Sequence, residues 1–301
     1  MANSSLPGSQ DPSFKDLFEL FLLASIWGGT FLFLRIASPE FGPFPVVLLR
    51  TLSAALFLIP FLCFSKQQAL LVENWRPLFI VSLTTTILPF CLLAYTSLYT
   101  TSGYIAILNS TVPIFTVIIA FLWLKQRLNF TGIIGVLIGF VGIIFLAYDD
   151  VSLDKSTGFL PIYAALLAAA LYGLGSLYSK QALTGVSPLA VATGSQLFAV
   201  FLLAPAAAYF WPEQTPSKTA WFSVISMGIF CTAIALVQFY RLVARIGPTR
   251  TVMVAYLIPV FSMFWGNLIL GEAITTNMIL GCSLTLIGVG FTSNLFRRKK
   301  Y

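Results

Sequence analysis

The chain contains no histidine, and only 9% of its 301 residues are charged. Without an imidazole it lacks the side chain that ordinarily titrates near neutral pH and the commonest metal ligand. That argues against zinc chemistry and Ser-His catalysis, and no metal or cofactor is implied. Cysteine is scarce as well: Cys63, Cys91, Cys231 and Cys282 all fall inside apolar runs, without the paired spacing of a disulfide framework or a metal site. Soluble domains average roughly 45–50% apolar and about 25% charged residues. Here 58% are apolar, which excludes a soluble globular fold. Ten membrane-spanning helices would use about 200 residues, which leaves no room for a separate catalytic domain.

What the chain has instead is a series of long apolar runs. Broken by polar or turn residues, they predict spans at 17–36, 44–64, 77–98, 102–124 and 131–148. After a polar break at 149–157, further spans are expected at 158–181, 188–210, 220–242, 248–270 and 276–296. The expectation is an all-α integral membrane protein with ten transmembrane helices. A β-barrel is excluded because its strands alternate apolar and polar residues, whereas these runs are continuous. The polar tail 1–16 carries no basic stretch ahead of the first run and does not read as a cleaved signal peptide.

Cytoplasmic connections collect Lys and Arg. If the N-terminus is cytoplasmic, the inner side holds thirteen of the 17 basic residues: Lys15, Lys66, Arg76, Lys125, Arg127, Lys180, Arg241, Arg245, Arg250, Arg297, Arg298, Lys299 and Lys300. The outer side keeps Arg35, Lys155 and Lys218 together with Glu40, Asp149, Asp150, Asp154, Glu213 and Glu272. Both termini are therefore expected in the cytoplasm, with the chain in an inner (plasma) membrane and the basic tail 297–301 anchoring it against anionic headgroups. The net charge of +7 does not point to nucleic acid, since the basic residues are scattered over short loops rather than gathered in one patch.

Compared with itself at a shift of about 145 or 146 positions, the chain matches in residue type. Trp27-Gly28 with Arg35 recurs as Tyr172-Gly173 with Lys180, and Val112-Pro113-Ile114-Phe115 as Ile258-Pro259-Val260-Phe261. Gly135 and Gly142 recur as Gly281 and Gly288. Each half, 17–148 and 158–296, holds five expected spans, an odd number, so the second enters the membrane from the opposite side. The link Lys125-Gln126-Arg127 is basic, its counterpart Gly271-Glu272-Ala273 acidic, as inversion requires. Two inverted five-helix repeats supply the alternative arrangements used in alternating access.

This order of features resembles the EamA family of the drug/metabolite transporter superfamily. Leu270-Gly271-Glu272 is similar to the family's Leu-Gly-Glu signature, while Leu124-Lys125-Gln126-Arg127 departs from it in the first half. Trp27-Gly28 and Arg50 in Leu48-Leu49-Arg50-Thr51 also match, with Gln196 as the second-half counterpart of Arg50. The resemblance implies a ten-helix fold and export of small organic solutes such as amino acids.

Arg50 lies inside the second expected span, where a charge costs on the order of 2.5–3.5 kcal/mol and rarely faces lipid. It either attracts an anionic group of the solute or snorkels to the headgroups or bonds carbonyls of a broken helix. Pro113 and Pro259 each remove a backbone donor in mid-span, so kinks are expected at both, with freed carbonyls near Asn109-Ser110 and Ala255-Tyr256 facing a solute or serving packing alone. Trp27 and Tyr172, near midplane, line a cavity or fill a packing gap. Tyr95, Asn109, Gln196, Gln238 and Tyr256 add polar groups for a pathway or for interhelical bonding. Gly132, Gly135, Gly139 and Gly142, with Gly281 and Gly288, form stripes suited to close helix packing or, as a subsidiary role, to a homodimer.

No Asp or Glu lies clearly in mid-span, so a carboxylate relay for protons is not evident. The leading expectation is a secondary transporter whose partners are a small-molecule solute and the lipid bilayer. The rivals are a membrane-embedded lipid-modifying enzyme, an importer, and a nucleotide-sugar carrier, which would want several intramembrane cations for its phosphates.

Overall fold

A computed structural model of the chain describes residues 13–126, 130–147, 158–246, 251 and 253–292. Helix α1 (Phe14–Phe41) begins at a capping box: the Asp16 amide donates to the Ser13 hydroxyl, and the Ser13 amide donates to the Asp16 carboxylate. It runs through Pro39 and stops at Gly42, whose φ of +77° suits a residue without a Cβ. Pro43 then opens α2 (Pro43–Phe64), its fixed φ suiting a first helical position.

A short α3 (Gln68–Glu73) precedes α4 (Trp75–Ser82), which passes through a π-helical turn at Leu83–Ile87 into α5 (Leu88–Thr96). Helices α6 (Ser102–Asn109) and α7 (Val112–Leu124) are two pieces of one span, and α8 (Phe130–Ala147) follows. The second half comprises α9 (Leu160–Ala182), α10 (Pro188–Tyr209) and α11 (Lys218–Gly228). A π turn at Ile229–Ile234 leads from α11 into α12 (Ala235–Ile246), and α13 (Val254–Leu270) and α14 (Thr276–Thr292) complete it. The described residues contain no strand.

Seven helical segments are long and apolar enough to cross a membrane, accompanied by three shorter apolar helices, Phe130–Leu146, Val254–Leu270 and Thr276–Thr292. At 17 residues, α13 and α14 rise about 26 Å, near the minimum for the hydrocarbon core. Ten full crossings therefore belong to the proposed topology. Arg127, Asp149, Asp150, Asp154, Lys155, Arg250 and the basic tail 297–301 lie outside the described residues.

Contacts between helices recur across the two halves. α1 packs on α13 and α11, as α9 packs on α7 and α5; α2 pairs with α10, and α8 with α14. The glycines that follow the matched aromatics show why. A Cβ at Gly28 would stand 2.9 Å from the Ser262 amide nitrogen, and one at Gly173 would stand 2.9 Å from that of Thr116. Each glycine thus lets the first helix of one half cross the fourth span of the other at corresponding positions.

The α8–α14 pair uses its glycines likewise: a Cβ at Gly135 would meet the Gly288 carbonyl oxygen at 2.6 Å, and one at Gly142 the Thr285 amide at 2.8 Å. Gly139 abuts Ile114, Gly281 abuts Leu146, and Gly132 is buried. The opposite flank of α8, with Ile133, Leu137, Val141 and Ile144, is exposed and apolar, as a lipid-facing surface must be. The stripe is therefore covered within the chain.

Candidate functional site

Arg50 sits on α2 with only 4% of its surface exposed. Its guanidinium carbon lies 3.3 Å from the centroid of the Phe90 ring on α5. Phe90 in turn meets Tyr172 of α9 edge-on at 6.0 Å. Tyr172 and Cys231, the latter in the second π turn, are within electrostatic reach of the guanidinium. The Nε and Nη1 atoms of Arg50 have no hydrogen-bond partner, and none of the three ion pairs among the described residues includes it. A cation–π contact of this desolvated kind stabilises by about 2 kcal/mol. Leaving a buried charge unpaired costs several. The side chain neither snorkels nor, through those two nitrogens, bonds carbonyls; it presents an unneutralised cation where spans of both halves meet.

The other candidates divide. Gln196, the counterpart of Arg50 on α10, is 4% exposed with its Oε1 unpartnered, and Asn109 Oδ1 at the end of α6 is likewise buried without a partner. Trp27 packs against Phe239 at 5.4 Å, on the α1–α12 side rather than beside Phe90. Gln238 donates from Nε2 to the Glu19 carbonyl, 3.1 Å, which ties α12 to α1. Tyr95 meets Tyr99 at 5.1 Å, the rings tilted by 59°, near the end of α5. Tyr256 is half-buried on α13.

In the first half the fourth span is interrupted beside the expected proline. Regular α-helical bonding lapses at Ser110-Thr111, both of which keep right-handed helical backbone angles, and Pro113 is the second residue of α7. The Ser110 and Thr111 hydroxyls each donate to a carbonyl of the preceding turn, Ile107 and Leu108, both at 2.6 Å, which satisfies carbonyls where the regular ladder lapses. Pro259 is buried inside a continuous α13.

The two ends of the bundle are closed by different chemistry. Beyond α13, Gly271 adopts φ +66° and the chain turns back, with the Glu272 amide donating to the Gly266 carbonyl at 3.1 Å, a Schellman-type closure. The turn sends the Glu272 carboxylate onto the N-terminus of α6, where it accepts from the Ser102 amide at 2.9 Å and the Ser102 hydroxyl at 2.6 Å. A carboxylate there satisfies an otherwise orphaned amide and complements the helix dipole. Arg35 Nε stands 3.7 Å from the same carboxylate, while Arg35 Nη1 donates to the Ser97 carbonyl at 2.6 Å. A Cβ at Gly266 would collide with both Glu272 and Ser102. At the opposite end Arg245 pairs with Asp16 at 3.0 Å and with Glu19, joining α12 to α1.

Sequence reasoning missed Phe90, one of 28 phenylalanines with nothing in its neighbourhood to distinguish it. It also missed the Glu272–Ser102 bond, whose partners lie 170 positions apart. The Leu-Gly-Glu signature was the available signal, for a glycine at a helix end announces a reversal.

These features define a polytopic membrane protein of duplicated build with a buried cationic site. The chain belongs to the EamA-like transporter family, whose model matches residues 17–148 and 159–294. It is similar to the uncharacterized transporter YoaV of Bacillus subtilis, 25% identical over 294 residues that cover 95% of this chain and 99% of that one. It is also similar to the uncharacterized inner membrane transporter YedA of Escherichia coli K12, 27% identical over 276 residues, 88% of this chain and 85% of that one. A solved structure described only as the crystal structure of a protein superposes with a TM-score of 0.67 at 18% identity, over 94% of this chain and 98% of the other; it supports the fold alone.

Proposed function

We propose that the protein is a secondary transporter that exports small organic metabolites such as amino acids by alternating access. Two inverted repeats, 17–148 and 158–296, exchange arrangements around a midplane site at Arg50. The observation that carries this reading is the buried Arg50 guanidinium, without an ion pair among the described residues, lying on Phe90 beside Tyr172. It suits a solute with one anionic group and an apolar or planar body. Export is proposed by analogy with the family the chain resembles. That the similar proteins YoaV and YedA are named as uncharacterized transporters favours this role over a lipid-modifying enzyme. A nucleotide-sugar carrier would need further intramembrane cations beside Arg50.

Ten crossings, an inner-membrane location and cytoplasmic termini complete the proposal; a homodimer would use a face other than the glycine stripe. The test is a counterflow screen in reconstituted vesicles over amino acids, nucleobases and aromatic metabolites, with wild type and Arg50→Gln. Losing one charge-assisted bond of about 1.5–3 kcal/mol raises the half-saturation concentration of an anionic or zwitterionic solute roughly ten- to a hundredfold. No flux for any small solute, or flux unchanged in a correctly inserted R50Q, overturns the reading.

A further inference from the structure

Away from the Arg50 site, α2, α10 and α12 enclose a groove of about 380 Å³. Its lining comprises Leu58 and Phe61 of α2, Pro188, Leu189 and Ala192 of α10, and Leu236, Val237, Arg241 and Ala244 of α12. Eight of these nine residues are apolar, and the ninth is the cation Arg241. Their order along each helix gives the groove a direction. Leu58, Ala192 and Leu236 lie deeper in the spans Pro43–Phe64, Pro188–Tyr209 and Lys218–Ile246, whereas Phe61, Pro188, Arg241 and Ala244 lie nearer the span ends. From Leu236 to Ala244 the helix rises about 12 Å. Phe61, Pro188, Arg241 and Ala244 are exposed, so the mouth faces outward from the bundle rather than toward buried Arg50.

We propose that this groove binds one anionic phospholipid, with an acyl chain between α2, α10 and α12 and its phosphate on Arg241. The charge pattern selects this occupant. Arg241 takes part in none of the ion pairs among the described residues, whereas Arg245, one turn further along, is already engaged by Asp16 and Glu19. An unengaged guanidinium at the end of an apolar slot matches a lipid's geometry, hydrocarbon within and phosphate at the rim. A water-soluble metabolite would find no polar partner in the groove beyond that one residue.

The test is native mass spectrometry of the full chain after reconstitution with phosphatidylglycerol or phosphatidylcholine of identical acyl chains. One retained phosphatidylglycerol is expected, preferred about fivefold, the worth of one basic residue near anionic headgroups. Arg241→Gln abolishes the preference, and Ala244→Trp, which plugs the exposed mouth, abolishes retention of either lipid. Thermal unfolding establishes that both variants are folded, and R50Q retains lipid as wild type does, which separates this site from the transport site. Equal retention of the two lipids by wild type, retention unaffected by A244W, retention of inorganic phosphate in place of the lipid, or a dimer that A244W dissociates would each overturn the proposal.

Discussion

Arg50 shows how one side chain acquires a role from its surroundings. Its flat cation rests on Phe90 and its Nε and Nη1 have no protein acceptor, so shape and charge both matter. Arg50→Lys keeps the charge but replaces a planar, weakly hydrated group with a compact ammonium that stacks poorly. Counterflow by R50K should therefore fall between wild type and R50Q, with the larger effect on the half-saturation concentration than on the maximal rate. Equal behaviour of R50K and wild type would assign no part to the Phe90 contact. The arginine itself was legible as a charge inside an apolar run; the phenylalanine beneath it was not, because nothing local separates one lipid-facing or core aromatic from another.

Helices in this bundle are joined at their ends as much as along their flanks. Glu272 caps α6 from the far end of α13, and the side chain is only 11% exposed, so its hydrogen bonds are sheltered from water. Glu272→Ala should lower stability by about 1.5–3 kcal/mol, read as a drop in melting temperature in detergent, with Ser102→Ala costing less because the amide bond survives. Arg35→Ala should cost under about 1 kcal/mol through its ion pair, since that side chain is a third exposed and solvent screens the charge. An E272A chain as stable as wild type would remove the cap from the account. The corresponding place in the first half is Gln126, whose amide closes on the Ala120 carbonyl at 3.3 Å as that of Glu272 closes on Gly266, but whose side chain carries no charge.

Among the described residues, the acidic side chains sit at or near helix ends: Asp16, Glu19, Glu40, Glu73, Glu213 and Glu272 flank the spans rather than interrupt them. With no carboxylate placed to relay protons through the centre, flux should persist unchanged when the proton gradient across reconstituted vesicles is collapsed. A flux that disappears with the gradient would require one of the terminal carboxylates to enter the pathway.

Apolar run length dictated an all-helical membrane chain, and the recurrence of Trp27-Gly28 as Tyr172-Gly173 and of Pro113 as Pro259 announced the duplication, because burial in lipid and close helix crossings constrain residue type locally. Pro113 marked where the fourth span would be interrupted, but not that the Ser110 and Thr111 hydroxyls would bond the carbonyls of the preceding turn there. Which helices touch was settled by folding alone. Gly28 against Ser262, Phe90 under Arg50 and Glu272 on Ser102 join positions 40 to 234 residues apart, roughly, through shape and hydrogen-bond geometry that no periodicity encodes.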